Sequence, residues 1–416
     1  MSSMIEVLAQ MNRANLEPNK ESIVYLMLKV TSKADENYDR PGLNLGMVVD
    51  RSGSMGGLKM EYTRKALSFC IRHLDVRDIL SVVSFDDRVE VVLPPGPVMN
   101  KDLATAMVER IDARGMTNLS SGLMTGHSLV SSQQLAKKIN RIIMMTDGLA
   151  NEGITDSEGL VNLAARIAGS GQSLTCIGVG DDFNEDLLIA MAEAGRGNFY
   201  YVENPDQIPG IFAKELEGLL QVVAQNLSLR LSPTNGVRFS KLFGYEPVID
   251  DNGDLAITLP DLYAAEEKIL LLEMVVPPLA EGIHTLLDIR CSGLDASTYE
   301  ALEIPLLVEA HCTPDQAMTS MVNEEVDKKV EQMKIAEARE EAMRLADSGD
   351  TEGAINTMNQ KIDEFNCGLY YNDEVISGEI TELKGFVSSM ANYNTTVRKN
   401  MQYSNYQSRK NRKQRN

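Results

Sequence analysis

The chain divides into regions that differ in the spacing of their apolar residues. Between residues 43 and 221, short continuous apolar runs alternate with stretches of helical spacing. Continuous apolar runs bounded by turn residues are typical of buried strands, and their alternation with helices indicates a mainly parallel sheet that is covered on both faces. We therefore predict an α/β domain with a doubly wound, mainly parallel sheet over residues 43–221.

Strand-like alternation occurs on both sides of this stretch. Apolar residues take every second position from Val24 to Val30, and the same period recurs in short runs between residues 222 and 312. Short strands at regular spacing predict an antiparallel β-sandwich. Because a lone strand needs a sheet to pair with, we predict that residues 1–33 and 222–312 form one sandwich into which the α/β domain is inserted.

After Pro314 the spacing of apolar residues becomes helical. Val326, Val330 and Met333 are three and four residues apart, and similar spacings continue further along the chain. This pattern predicts packed antiparallel helices over residues 315–397, which either lie on the sandwich as a hairpin or bundle or form a groove that binds a protein.

The last 19 residues differ from the rest in charge. The chain has a formal net charge of −20 and a pI near 4.7, whereas residues 398–416 contain seven Lys or Arg and no acid. An acidic body argues against general affinity for nucleic acid. We predict that residues 398–416 form a disordered basic tail, which either contacts acidic groups of this chain or a partner, or binds RNA through its interleaved tyrosines.

Several sequence features bear on the cellular compartment. The chain has five cysteines, an odd number, without the spacing of zinc or redox motifs, which favours reduced thiols. No apolar run reaches the roughly 18 residues that span a bilayer. The first six residues lack the basic and apolar order of a signal peptide. We therefore expect a cytoplasmic protein without a membrane span.

Candidate chemistry begins where the first strand of the α/β stretch ends. Asp50, Ser52 and Ser54 follow the apolar run that starts at Leu45. In open α/β sheets, ligands bind outside the carboxyl ends of the strands. Carboxylate and hydroxyl oxygens are hard ligands that suit Mg²⁺, Mn²⁺ or Ca²⁺ rather than zinc. The alternative is a polar turn that caps the following helix.

Two later stretches add to this set. Thr117 lies in a loop before a predicted helix, and Asp147 ends the apolar strand that starts at Arg141. With Asp50, Ser52 and Ser54, these residues resemble the metal-ion-dependent adhesion site of the von Willebrand factor A family, and all five family positions match in order and spacing. The resemblance covers residues 43–221. The layout with a sandwich and a helical tail resembles a bacterial family of cytosolic proteins.

This resemblance implies roles for the five residues. Ser52 and Ser54 would bind a Mg²⁺ ion directly, Asp50 and Asp147 would bind it directly or through water, and Thr117 would bind mainly in the ligand-bound form. An Asp or Glu of a partner protein would complete the metal shell. The expected function is therefore a Mg²⁺-dependent protein-interaction module, an adaptor in intracellular regulation or assembly.

Two other functions stay open from the sequence. A cell-surface adhesin would use the same metal site, but the N-terminal sequence and the cysteine count disfavour it. A metal-dependent hydrolase would need a base, and the motif places no His or Lys in that role; His127 is the histidine nearest to the site in sequence. The chain also lacks a Walker loop and a dinucleotide-binding glycine signature, so we expect no enzymatic activity.

Overall fold

A computed structural model describes residues 5–32, 40–133, 138–245, 248–250 and 253–410. Its strands, numbered along the chain, are β1 (Ile5–Met11), β2 (Asn15–Leu16), β3 (Ser22–Ser32), β4 (Gly42–Asp50), β5 (Ile79–Phe85), β6 (Val89–Pro97), β7 (Lys138–Thr146), β8 (Ser173–Val179), β9 (Arg196–Val202), β10 (Val222–Pro233), β11 (Arg238–Phe243), β12 (Val248–Ile249), β13 (Leu255–Thr258), β14 (Leu262–Tyr263), β15 (Glu267–Val276), β16 (Gly282–Asp295) and β17 (Ala301–Cys312). Its α-helices are α1 (Leu58–His73), α2 (Lys101–Val108), α3 (Leu119–Ser132), α4 (Ser157–Gly169), α5 (Glu185–Ala194), α6 (Ile208–Leu219), α7 (Gln316–Thr319), α8 (Glu324–Asp347), α9 (Thr351–Asn366), α10 (Glu374–Ser389) and α11 (Thr395–Arg409).

The central region is an α/β domain. Its sheet has the strand order β6-β5-β4-β7-β8-β9, and the neighbours are parallel except for the β5–β6 pair. Met47 of β4 packs in a cluster with α1, α2 and α6, whereas the next residue, Val48, packs with α3, α4 and α5. Both faces of β4 are therefore buried, which explains its continuous apolar run. The predicted α/β fold class with a helical C-terminal region is confirmed.

Two further sheets are built from the segments before and after this domain. One sheet has the antiparallel order β1-β3-β15-β11, and in it Leu28 of β3 faces Leu270 of β15. The other has the order β12-β13-β10-β16-β17-β2, with β14 also paired to β10. Leu28 and Leu270 share one buried cluster with Leu229 and Ile289 of the other sheet, as expected of two sheets packed face to face. Residues 1–4 and 33 of the predicted sandwich segment lie outside the described residues.

The C-terminal helices pack on one another and on a sheet. Helices α8, α9 and α10 contribute to one apolar cluster. Val326 and Val330 of α8 also pack against Met27 of β3 and Leu271 of β15. This helical region therefore lies on the outer face of the four-stranded sheet. Within the described part of the chain, no helix combines the length and the apolar content that crossing a membrane requires.

The prediction of a disordered tail from residue 398 is wrong over its first part. α11 is a helix that begins at Thr395, after the side chain of Asn394 accepts a hydrogen bond from the Val397 backbone nitrogen at 3.0 Å. Met401 and Tyr406 on this helix are buried. Residues 411–416 lie outside the described residues.

Acidic groups elsewhere in the fold account for the order of this basic segment. Arg398 pairs with Glu185 and Asp186 of α5 and with Asp347 of α8. The ammonium of Lys399 lies 2.6 Å from a carboxylate oxygen of Glu185. The four basic residues in the described part of this segment are thus paired with acids of the same chain, which its composition did not indicate.

Candidate metal site at the carboxyl ends of β4 and β7

The five predicted site residues lie at one edge of the α/β sheet. Asp50 is the last residue of β4, and Asp147 directly follows β7. These strands are parallel neighbours, so their carboxyl ends lie side by side. Ser52 and Ser54 stand in the turn between β4 and α1, and Thr117 stands in the loop before α3.

Hydrogen bonds connect members of this set. The Ser52 and Ser54 hydroxyl oxygens are 3.1 Å apart, and the Ser54 hydroxyl donates to a carboxylate oxygen of Asp147 at 2.7 Å. The Ser52 backbone nitrogen donates to Asp50 at 2.7 Å. A Cβ placed on Gly148 would lie 3.4 Å from the Thr117 hydroxyl and 3.9 Å from the Ser54 hydroxyl. The structure therefore brings the five residues together.

The two carboxylates of the site are fully buried. Asp50 and Asp147 each have 0% of their surface exposed. Burial raises the pKa of Asp50 to about 6, against hydrogen bonds from Thr146 and Ser52, and the charge of Asp147 adds to the rise. Thr146, which the sequence did not single out, donates its hydroxyl to Asp50 at 2.6 Å. Two carboxylates at close quarters in a buried position favour a bound cation.

Lys59 contributes a positive charge that sequence reasoning missed. Its ammonium lies 2.5 Å from the second carboxylate oxygen of Asp147, while the first oxygen accepts from Ser54. Lys59 stands in the first turn of α1, directly after the turn that carries Ser52 and Ser54. The one sequence signal for Lys59 was its position directly after that turn. Nothing in the sequence indicated that Lys59 contacts Asp147.

Backbone hydrogen bonds join the loops that carry the site. The Gly53 nitrogen donates to the Gly115 carbonyl at 3.1 Å, which joins the turn after β4 to the loop before α3. The Asn151 nitrogen donates to the Thr117 carbonyl at 3.1 Å, which joins that loop to the segment after β7. The relative positions of the three loops are therefore fixed by the fold itself.

A buried carboxylate outside the motif supports the same loops. Asp86, which is 1% exposed, pairs with Arg51 and with Arg114 at 2.9 Å each. Its backbone carbonyl also accepts a hydrogen bond from Asn118 at 2.9 Å. Burial acts against ionisation, but hydrogen bonds from Arg88 and Arg114 and the charge of Arg51 hold the pKa of Asp86 below its usual range. Asp86 therefore stays ionised and keeps the loop before α3 in place.

The donor chemistry of the site fits a hard divalent cation. Two carboxylates and three hydroxyls supply oxygen ligands, as Mg²⁺ and Ca²⁺ prefer. Across the described ranges, no group of three or more His, Cys, Asp or Glu side chains is placed to hold a metal, so a site here depends on hydroxyl donors as well. His127, the nearest histidine in sequence, has its Nδ1 atom 3.1 Å from the side-chain oxygen of Gln172.

Parts of this chain are similar in sequence to known proteins. The family model of the von Willebrand factor type A domain matches residues 44–214. An uncharacterized protein of Synechocystis sp. is 27% identical over 352 residues, which are 80% of this chain and 81% of that protein. Human inter-alpha-trypsin inhibitor heavy chain H3 is 30% identical over 162 residues, which are 37% of this chain but only 18% of the human protein.

Solved structures match over nearly the whole length. A von Willebrand factor type A protein from Catenulispora acidiphila superposes with a TM-score of 0.74 at 18% identity, covering 99% of this chain and 98% of that one. The ArnB paralog VWA2 from Sulfolobus acidocaldarius superposes with a TM-score of 0.63 at 17% identity, covering 99% of both chains. These superpositions establish a shared fold. The strand order, the arrangement of the loops and the match of the family model agree that this chain contains a von Willebrand factor type A domain over residues 44–214.

Proposed function

We propose that the chain binds another protein through a divalent cation, with Mg²⁺ as the first choice and Mn²⁺ or Ca²⁺ as alternatives. The observation that carries this proposal is the cluster of two buried carboxylates and three hydroxyls at one sheet edge. Ser54 is exposed, so the cluster opens to the surface. A carboxylate of the partner, from Asp or Glu, is the natural ligand for a remaining metal position because it is a hard anionic oxygen donor.

Each of the five residues has a proposed part in holding the ion. Ser52 and Ser54 would supply direct ligands, and Asp50 and Asp147 would supply charge either directly or through water. Thr117 would join the shell when a partner is bound. The hydrogen bond between Ser54 and Asp147 supports this arrangement, since it brings two of the proposed oxygen ligands within 2.7 Å of each other.

We propose binding rather than catalysis, and an adaptor role inside the cell. Lys59, the cation in contact with the site, already pairs with Asp147. His127 contacts Gln172, which directly precedes β8 and so lies toward the amino ends of the strands, away from the site. All five cysteines are free thiols and four of them are buried, which is usual in reducing compartments. A cytoplasmic setting agrees with this pattern.

Titration of Mg²⁺ into the full chain by calorimetry tests the metal site. Asp50→Ala and Asp147→Ala should each abolish the binding heat, because each removes one of the two anionic ligands. Both variants should stay folded by circular dichroism, although Asp147→Ala should melt at a lower temperature because it leaves the Lys59 ammonium without its partner. Asp112→Ala is a matched control, since it removes a carboxylate that is 86% exposed in the same domain.

Capture of a partner tests the second half of the proposal. The immobilised chain should retain the same proteins repeatedly in Mg²⁺, release them in EDTA, and fail to retain them when Asp147 is replaced. The proposal is wrong if Mg²⁺ does not bind, if EDTA leaves the captured proteins bound, or if both aspartate variants capture the same proteins in Mg²⁺ as the wild type.

A further inference from the structure

Each of the three segments that carry the proposed metal ligands has an exposed apolar side chain within it or close by in sequence. Leu58 is 61% exposed, Met116 is 50% exposed and Leu149 is 56% exposed. Met116 precedes Thr117, and Leu149 follows Asp147 by two residues. Leu58 precedes Lys59, whose ammonium touches Asp147. The three side chains, called the apolar rim below, therefore belong to the three segments that meet at the proposed metal site.

The fold holds the apolar rim in position before any partner arrives. The loop with Met116 is hydrogen-bonded on one side to the turn after β4, through Gly53 and Gly115. On its other side it is hydrogen-bonded to the loop with Leu149, through Thr117 and Asn151. The backbone of such joined loops loses little conformational freedom on binding, so only the side chains themselves need to be ordered.

The chemistry of the apolar rim differs from that of its centre. Single exposed apolar residues are ordinary on protein surfaces. Three of them on neighbouring segments of one site offer a surface that binding of a partner would remove from water. The nearby guanidinium groups of Arg51 and Arg114 are both paired with Asp86. These two charges are therefore already matched within the chain, which leaves the apolar rim as the uncompensated feature beside the proposed metal site.

We propose that the apolar rim is a docking surface for a protein segment in which the metal-binding Asp or Glu has apolar residues on either side. The inference rests on the proposed function and narrows its partner class. The carboxylate would meet the cation, and aliphatic or aromatic side chains next to it would bury Leu58, Met116 and Leu149. A segment made mostly of acidic residues would supply a carboxylate to the metal but would leave the apolar rim exposed to water.

A random peptide library displayed on phage is the probe that tests the proposal. The full chain is immobilised in Mg²⁺, and bound phage are eluted with EDTA. We expect the eluted peptides to carry an Asp or Glu with Leu, Ile, Val, Met, Phe, Tyr or Trp within two positions. The enriched sequences are then synthesised and their affinities measured by fluorescence polarisation.

Two triple variants separate the apolar rim from general surface effects. L58S/M116S/L149S should bind the synthetic peptides about tenfold or more weakly, as expected for the loss of three apolar contacts, and should bind Mg²⁺ alone as the wild type does. I23S/I283S/L307S removes apolar residues that are 58%, 70% and 59% exposed on the other two sheets and should keep full peptide affinity.

The outcomes distinguish this inference from the function on which it rests. EDTA-eluted peptides with polar flanks, or an unchanged affinity of the rim variant, would overturn the docking surface and leave metal-dependent binding intact. If no peptide is eluted specifically by EDTA, the proposal of metal-dependent binding is wrong, and the proposed docking surface is wrong as well.

Discussion

At the residue scale, Lys59 and the proposed metal ion compete for the same carboxylate. The Lys59 ammonium is 2.5 Å from Asp147, and Asp147 has no exposed surface. A buried carboxylate needs a positive partner, and Lys59 supplies one when no metal is bound. A bound cation would place a second positive charge near the same oxygens, where the two charges repel each other. Lys59 should therefore stabilise the metal-free site and lower its affinity for metal.

Lys59→Met tests this competition. Because the substitution removes the competing charge, we expect Mg²⁺ to bind roughly tenfold more tightly, which corresponds to about 1.4 kcal/mol. The melting temperature of the metal-free variant should fall, since Asp147 is left buried without its ammonium partner. Calorimetry gives the affinity, and thermal denaturation with and without Mg²⁺ gives the stability.

Lys65→Met is the control for this experiment. Lys65 lies on the same helix and loses the same charge, but its ammonium pairs with Glu61 at 2.7 Å and its side chain is 54% exposed. Its Mg²⁺ affinity should equal that of the wild type. If the Lys59 variant binds Mg²⁺ only as tightly as the wild type, or more weakly, the Lys59 ammonium does not lower the affinity for the ion.

The candidate site was largely predictable from the sequence because its residues stand at strand ends and turns. Asp50 and Asp147 each follow an apolar run. Such runs predict parallel strands, whose carboxyl ends lie at one edge of the sheet. Lys59 and Asp86 were not predictable in the same way. Their contacts depend on how loops that are distant in sequence approach each other, and neither residue stands out in charge or spacing.

At the scale of elements, α11 closes the edge of the α/β sheet. β9 is the last strand of that sheet, and the backbone nitrogen of its Phe199 donates to the hydroxyl of Tyr406 at 3.1 Å. The ring of Tyr406 meets the ring of Phe199 edge-on, with centroids 5.8 Å apart. An uncovered strand edge invites pairing with other chains, so a helix placed here protects the fold.

Substitution of Tyr406 tests the contribution of α11 to stability. Tyr406→Ala should cost about 3 kcal/mol, because it removes a buried aromatic side chain and leaves the Phe199 nitrogen without this acceptor. Tyr406→Phe keeps the ring and should cost about 1 kcal/mol. Chemical denaturation of the full chain measures both values, and Gln407→Ala at a half-buried position of the same helix is the control.

If both Tyr406 variants lose less free energy of unfolding than the Gln407 control, α11 does not stabilise the domain.

Removal of residues 398–416 should likewise lower the melting temperature, whereas loss of a disordered tail would leave it unchanged. The sequence did contain a weak sign of this helix, because the apolar residues Val397 and Met401 are four residues apart. The acids that neutralise its charge lie far away in sequence, which is why composition gave the wrong answer.

At the scale of the whole molecule, the α/β domain and the other two sheets are joined by a buried ion pair. Arg141 of β7 lies 2.7 Å from Asp261, and their side chains are 1% and 5% exposed. The sequence placed Arg141 at the start of an apolar strand and gave no partner for it. The period of the apolar residues predicted which segments form strands, whereas the contacts between the domains depend on surfaces that only the folded chain brings together.

The N-terminal strands are the clearest test of how the chain is assembled. β3 lies between β1 and β15, and its pairing with β15 runs from Ser22 to Thr31. A fragment of residues 222–312 keeps β15 but loses β3, so one edge of its sheet becomes open and its apolar cluster loses Leu26 and Leu28. We expect this fragment to self-associate. A fragment of residues 40–222 keeps all six strands of its sheet but loses α11 from the edge of β9 and Asp261 from Arg141, so it should fold with a lower melting temperature than the full chain.

Addition of a peptide comprising residues 1–33 should return the 222–312 fragment to a one-to-one complex, because the peptide supplies the missing strands and their apolar face. The control peptide carries Val24→Asp, Leu26→Asp and Leu28→Asp, which keep the length and the backbone donors but place charges in the buried cluster; it should have no effect. Sedimentation velocity measures the size of each species, and amide hydrogen exchange shows whether the backbone of β15 becomes protected. A 222–312 fragment that is monomeric by itself, with β15 already protected, would mean that the N-terminal strands are not needed to complete this sheet.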